Sequence, residues 1–305
     1  MAKSKYRSPI AIKKKTNIIF NIILILVVVT SLFPMLYVLS ISITSKASIA
    51  KYGYQIIPSE TTFEAYKVLF KNGSDVVKAF KNSVLVTLVG TLLGLFVTTT
   101  FAYAVSRNDF KYRKFFNTVA FIPMLFGGGM VANYIVMTRV FKLQDTFWVL
   151  IFPLLINTFY IVVMRTFFQT SVPFALIEAA KIDGANEFQI FFKIVLPVSL
   201  PGIATIALFM TLGYWNDWFN AMMYLKQHSE YTTLQYLLMK IQKTIEIIML
   251  KKNEMGSVAD EALSTLPEDA VKMAIVIITT LPIALSYPFF QRYFVEGLTL
   301  GAVKE

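Results

Sequence analysis

The chain has 305 residues, 56% of them hydrophobic and only 15% charged, with a net charge of +11. Soluble domains carry about 45–50% apolar and about 25% charged residues, so charge here is too scarce to clothe one soluble core, and the apolar content excludes a disordered chain. The lack of Cys and the single His exclude a disulfide scaffold and argue against zinc, haem or iron–sulfur chemistry, which leaves a polytopic α-helical membrane protein.

The basic start, residues 1–17, carries Lys3, Lys5, Arg7, Lys13, Lys14 and Lys15 with no acid. A membrane span needs about 20 mostly apolar residues. Six stretches qualify, at 18–43, 83–105, 116–137, 146–163, 200–225 and 270–290. The first apolar run has about 25 residues, beyond the usual signal-peptide core of about 7–15, and no small-residue cleavage site follows. It is expected to stay as an uncleaved span.

Between the second and third stretches lie Arg107, Lys111, Arg113 and Lys114, opposed only by Asp109. With six spans, this loop and the basic start fall on one side. Lys and Arg mark the cytoplasmic side, so both termini are expected inside a bacterial plasma membrane. The loops 44–82 and 226–269 also hold Lys, and the dense clusters decide the orientation. Basic residues set between apolar runs read as topology, so no nucleic-acid partner is expected.

Individual spans carry local marks. Gly90 and Gly94 form a small-xxx-small pair that suits close helix packing. Gly127 to Gly129 mark a break or hinge in the third span. Pro153 interrupts the fourth, and Pro282 and Pro288 are expected to kink or end the sixth. The outer loop 226–269 holds Leu234, Leu237, Leu238, Ile241, Ile245 and Ile248 at helical spacing. That run suits either an interfacial helix resting on the membrane or a docking element for an external partner. His228, in the same loop, reads as solvated.

Ionisable residues are nearly absent from the spans: Asp217 lies in the fifth and Lys272 at the edge of the sixth. Ion-coupled transporters keep buried carboxylates or His for the coupling ion, and channels need a charged ring or a filter. A transporter of this composition would draw its energy from elsewhere.

The most informative stretch is the inner loop 171–197. Leu176 to Asp183 suit a short Ala-rich helix. Gly184 can terminate it with positive φ, and Asn186 can cap the next helix. There Phe188, Phe191, Phe192 and Val195 repeat at i, i+3, i+4 and i+7, an apolar face. Ala179 and Ala180 offer a small, smooth patch ringed by Glu178, Lys181 and Asp183. A helix pair of this kind suits force transmission from a soluble partner, and an interfacial helix on the inner leaflet would share its composition.

The order Glu178-Ala179-Ala180, then Gly184, then Ile194 and Leu196-Pro197 resembles the signature of permease subunits in binding-protein-dependent ABC importers. Every spacing matches. Tyr214-Trp215-Asn216-Asp217-Trp218 and the ending from Gln291 to Lys304 are similar to the maltose-type, carbohydrate-uptake branch. Phe126-Gly127-Gly128-Gly129 resembles the group importing complex oligo- or polysaccharides in Gram-positive bacteria.

The resemblance implies an all-α membrane fold of the type I importer kind, with a permease domain at 18–290 and inner tails at 1–17 and 291–305. Six helices would span the bilayer, with a cytoplasmic coupling helix between spans four and five. Glu178 to Gly184, including Lys181 and Asp183, would be that helix, seated in an ATPase subunit. Ile194, Leu196 and Pro197 would support it.

The implied partners are a second permease, two ATPase subunits or a homodimer of them, an extracytoplasmic binding protein, an oligosaccharide and membrane lipid. ATP and Mg would be bound by the ATPase, and no cofactor by this chain, which lacks a phosphate-binding Gly-x-x-x-x-Gly-Lys-Ser/Thr loop. Residues 297–305 would also touch the ATPase pair. Tyr214, Trp215, Asn216, Asp217, Trp218 and Asn220 are the candidates for the solute path, because aromatic faces and amides suit sugar rings. Trp and Tyr also line membrane interfaces, and Asp217 could instead pair with the partner permease. The alternatives are an ion-coupled secondary transporter, a membrane enzyme, for which no catalytic constellation is found, and an importer permease for a non-sugar solute.

Overall fold

The computed structural model describes residues 14–70, 73–250 and 267–302. The basic residues Lys3 to Lys13, loop residues 251–266 and residues 303–305 lie outside them. The described residues are helical, apart from loops and a single antiparallel bridge between Thr44 and Thr61.

In chain order the helices are α1 (Lys14–Ser42), α2 (Lys46–Tyr52), α3 (Glu64–Leu69), α4 (Gly73–Ser106), α5 (Arg113–Leu125) and α6 (Gly129–Ile135). After a π-helical turn (Val136–Val140) and a 3-10 turn (Phe147–Leu150) come α7 (Phe152–Leu155), α8 (Thr158–Ser171), α9 (Phe174–Ile182) and α10 (Glu187–Ile190). A second π-helical turn (Phe191–Val195) leads to α11 (Leu196–Val198), α12 (Leu200–Trp215), α13 (Phe219–Tyr224), α14 (Leu234–Leu250) and α15 (Glu268–Ala302).

Three helices are long and apolar enough to cross a membrane: Lys15–Ser42, Asp75–Ser106 and Glu268–Gln291. Up to six qualify if each of three bent pairs is one span: Arg113–Leu125 with Gly129–Val140, Phe147–Leu155 with Thr158–Ser171, and Glu187–Val198 with Leu200–Trp215. The bends are 116°, 54° and 80°. The expected third span is therefore broken at its glycines, where Gly129 takes φ +77°, a conformation that costs Gly little. The expected fifth span also stops early, at Trp215. The Asp217 carboxylate there accepts from the backbone N–H (3.1 Å) and side-chain amide (2.8 Å) of Asn220, starting α13 afresh.

In the sixth span, Pro282 and Pro288, expected to kink or end it, do not end α15, which runs on to Ala302. Apolar membrane helices tolerate Pro within them. Nearby, the Trp215 indole donates to the Thr279 carbonyl at 3.0 Å and the Ser286 hydroxyl to that of Ile283 at 2.8 Å.

The chain forms two compact units. Residues 1–71 and 248–278 make the first. Here Ser45 caps α2 by accepting from the Ser48 N–H at 3.1 Å, and Tyr66 pairs with Ser42 at 2.9 Å. Among the described residues the apolar run of α1 from Ile18 to Val29 is exposed.

Residues 72–247 and 279–305 make the second unit. Its centre is α4, packed on α12 and α8. A Cβ at Gly90 would stand 2.5 Å from the Tyr214 ring, and one at Gly94 3.0 Å from the Met210 sulfur. The two glycines thus serve close packing, as their spacing implies. The apolar run of loop 226–269 forms α14, whose Leu234, Leu238 and Ile245 are buried. The start of α14 is tied to α4 by the Leu234 N–H donating to Ser83 at 2.8 Å, so its first turns pack on their own chain.

Candidate functional site: the α9–α10 loop and the broken fifth helix

α8 runs out at Ser171, and Pro173, with φ −61° and ψ 130°, turns the chain into α9. α9 ends as its sequence implies. Gly184 takes φ +80°. Its N–H donates to the Lys181 carbonyl at 3.1 Å, and the Ala185 N–H donates to that of Ala180 at 2.9 Å. This paired closure satisfies carbonyls that a helix end would otherwise leave unbonded. No atom stands where a Cβ on Gly184 would sit, so the need for Gly is conformational, not steric. Asn186 then starts α10 with a reciprocal cap: its side chain accepts from the Gln189 N–H and the Gln189 side chain accepts from its own N–H, both at 2.9 Å. Two such ends set the angle between α9 and α10.

One core seats this loop. Ile177 and Ala180 of α9 join Ile190, Phe191 and Val195 below them, Ile161, Met164 and Phe168 of α8, Ala102 of α4, and Ile206 and Met210 of α12. Ile194 and Leu196 pack half-buried against the same core, and Pro197 stands exposed beside them in α11.

Two expectations are corrected. Ala180 is only 8% exposed and faces the core, so Ala179 alone of the pair offers a surface. The apolar face at Phe188, Phe191, Phe192 and Val195 is split. Phe191 and Val195 are buried, but Phe188 is 78% exposed and Phe192 about half exposed. The π-helical turn at Phe191–Val195 explains the split, because one extra residue per turn breaks the 3.6-residue register on which the face rested.

Glu178, Ala179, Lys181, Ile182, Asp183 and Gly184 are all exposed. Ile182 is 87% exposed and lies among charges. The sequence pattern does not single out Ile182, and it sets Phe188 on one apolar face with Phe191, Phe192 and Val195. Both are large apolar side chains bared on a short polar turn.

A charge cluster that the sequence did not reveal lies beside the turn. Arg107, just past α4, is 7% exposed. Its guanidinium donates to both Asp109 oxygens, at 3.0 and 2.7 Å, and reaches Glu187 at 3.5 Å. Lys181 bridges the same acids, 2.8 Å from Asp109 and 3.0 Å from Glu187. The Tyr103 hydroxyl of α4 donates to Glu187 at 2.8 Å.

Hydrogen bonds from Arg107, then Lys181, hold the Asp109 carboxyl well below the usual carboxylate range. Burial pushes the Glu187 carboxyl up, but the Tyr103, Lys181 and Arg107 contacts outweigh it and leave its pKa lowered. Hydrogen bonds to Asp109 and Glu187 raise that of Lys181. The Lys181 pairs are exposed, and such pairs add only about 0–1 kcal/mol, so the cluster governs position more than stability.

At the broken fifth helix, Tyr214 and Trp215 are buried. The Tyr214 hydroxyl donates to the Ile151 carbonyl at 3.1 Å, and the Trp215 indole bonds Thr279 as described above. Their polar atoms thus serve the packing of the break. Asp217 and Asn220 pair with each other. Asn216, which accepts from Gln235 at 3.2 Å, and Trp218 remain exposed. Asn220 also lines a cleft of about 240 Å³ with Met130, Asn133, Phe152, Phe219 and Tyr224. A larger hollow of about 520 Å³, lined by Asp75, Lys78, Asn82, His228 and Glu230, lies apart from these residues. Among the described residues no group of His, Asp and Glu could hold a metal ion.

Residues 90–299, which take in both sites, match the family of binding-protein-dependent transport system inner membrane components. The chain belongs to that family. The permease is 37% identical, over 89% of its length and 92% of the relative, to the polygalacturonan/rhamnogalacturonan transport system permease protein YtcP of Bacillus subtilis (strain 168). It is 35% identical to protein LplC of the same organism over 90% of each chain. Among solved structures it is similar to a chain of a bacterial ABC transporter involved in the import of the acidic polysaccharide alginate. That match has a TM-score of 0.73 and 28% identity, covering 94% of this permease and all of the other chain. The resemblance drawn from Glu178 to Pro197 thus extends along nearly the whole chain, and it is a membrane-embedded, multi-pass transport permease.

Proposed function

We propose that this permease is one membrane subunit of an ATP-driven importer for oligosaccharides or polysaccharide fragments. It forms half of a translocation path with a second permease. It takes solute from an extracytoplasmic binding protein and rests on two cytoplasmic ATPase subunits that bind ATP and Mg. The names of its relatives support a saccharide cargo. The three long helices and three bent pairs support six spans, and the basic clusters support inside termini.

The observation that carries the reading is the loop from Phe174 to Ile190. It is capped at both helix ends, anchored by Ile177 and Ala180, and bears Ile182 and Phe188 bare on its outer side. A rigid turn with exposed apolar tips suits insertion into a cleft of a soluble partner. Glu178, Lys181 and Asp183 supply charged contacts around it, and residues 297–305 are proposed as a second contact. ATP binding that closes the ATPase pair would then favour one of two permease states, as linkage requires.

The solute path is proposed to run by Asn216, Trp218 and Asn220 along the cleft holding Asn133, with Tyr214, Trp215 and Asp217 shaping the break beside it. The exposed apolar run of α1 suits lipid or the partner permease.

Affinity purification of the permease in mild detergent, followed by mass spectrometry, tests the reading. It predicts recovery of a second permease and an ATPase. A chain that purifies alone and transports solute on an ion gradient after reconstitution would contradict it.

A further inference from the structure

We infer that Arg107 and Glu187 are positioning residues that lock the Glu178–Gly184 turn to the inner end of α4, so that the two move as one body when the ATPase acts. The inference rests on the coupling role proposed above for that turn, and it adds the route by which force leaves the turn.

α9 belongs to a loop far along the chain from α4, yet the cluster joins them directly. Lys181 of α9 and Glu187 of α10 meet Asp109 and Arg107, which follow α4, and Tyr103, which lies within it. Arg107 is nearly enclosed, and its second terminal nitrogen, Nη1, has no hydrogen-bond partner. The guanidinium therefore depends on these two carboxylates. Removal of one leaves a buried cation undercompensated and frees the turn from α4. Gln169 of α8 adds a bond to the Ser106 carbonyl at 3.3 Å, so the end of α4 is held from two sides. The apolar core alone would let α9 rock on Ile177 and Ala180, because dispersion contacts are not directional. The bonds that cross between the elements, from the Tyr103 hydroxyl to Glu187 and from Lys181 to Asp109, both at 2.8 Å, are directional and charge-assisted and fix the angle.

Beyond the cluster, α4 is packed without slack on α12: Gly90 against the Tyr214 ring and Gly94 against Met210. Tyr214 in turn bonds Ile151, one residue before α7. Displacement of the turn thus passes along α4 to the break at 216–218 and the cleft beside it, through contacts that have no room to absorb it.

The test uses the whole transporter in lipid nanodiscs, with Asn133→Cys as a reporter in the cleft. The natural chain has no Cys, so this thiol is the chain's own label site. Its reaction rate with a maleimide is compared without nucleotide and after trapping with ATP and vanadate. In the otherwise unchanged chain, trapping should alter the rate by about 5-fold or more, the lower range of allosteric coupling. With Glu187→Gln, vanadate trapping should persist and the change in reporter rate should vanish. A full response in E187Q with trapping intact would overturn the lock and leave the coupling role standing. Loss of the response in the parent chain itself would remove the coupling role, and the lock with it.

A second pair of variants guards against a folding defect. Arg107→Met should silence the reporter as E187Q does, and Arg107→Lys, which keeps a cation beside Asp109 and Glu187, should retain part of the response. A full response with Arg107→Met in an assembled, trapping-competent transporter would overturn the proposal.

Discussion

The loop of α9 and α10 and the broken fifth helix are both polar turns between apolar helices, and they use their conspicuous residues in opposite ways. In the loop, Glu178, Lys181, Ile182 and Asp183 face outward while Ile177 and Ala180 hold the turn from beneath. At the break, the aromatic residues that draw the eye, Tyr214 and Trp215, are inside, bonded to backbone carbonyls. The less conspicuous Asn216, Trp218 and Asn220 meet the open side or the cleft. A chemically suggestive residue type is thus no guide to which face it serves. Burial and the fate of its polar atoms decide.

Gly184→Pro should break the comparison most severely. Pro fixes φ near −65° and lacks an N–H, whereas Gly184 needs φ +80° and donates to Lys181. The variant should insert and assemble yet lose coupling of hydrolysis to transport, an effect ordinarily worth about 5–150-fold; normal transport per ATP in proteoliposomes would refute it. Ile182→Glu should leave the fold intact because the side chain is 87% exposed. Full burial of such a side chain contributes about 1.5–3 kcal/mol, so affinity for the ATPase should fall about 10- to 100-fold, measurable by titration of the ATPase onto nanodiscs.

Substitutions at the other region should affect the fold first. Gly90→Ala drives a Cβ into the Tyr214 ring, and overpacking of this kind costs about 1–3 kcal/mol. It should lower the melting temperature of the purified permease, whereas Trp218→Ala should not. Transport by W218A should weaken through the apparent affinity for solute.

The smallest effect expected is that of pH. Asp109 and Glu187 have lowered pKa values, so their contribution is complete above the ordinary carboxylate value near about 4 and is lost as pH falls through the lowered ones. That of Lys181 is raised, so its contribution is complete below about 10.4 and is lost only at higher pH. The ratio of transport to hydrolysis should therefore stay flat across about pH 6–8. A titration within that window would assign the control to another group.

Much of this was legible in the sequence because it is local. Gly184 and Asn186 announce the two helix ends, Gly127 to Gly129 the break in the third apolar stretch, and Gly90 and Gly94 a close helix contact. What stayed hidden is non-local or depends on register. The π-helical turn at Phe191–Val195 shifts side chains off the face that a 3.6-residue period assigns. Arg107 and Asp109 read as topology signals, because nothing in their own neighbourhood tells of Lys181 and Glu187, many residues away. Pro282 and Pro288 read as kinks or ends, yet α15 continues past both, because an apolar membrane helix tolerates Pro in a way that its local sequence does not announce.

The central claim is that the exposed tip of α9 is where the ATPase docks. The most direct measurement places a photoactivatable cross-linker at position 182 in the assembled transporter and identifies what it captures. Capture of the ATPase subunit, with a yield that changes on vanadate trapping, is the predicted result. Capture of lipid or of the second permease alone would contradict the account.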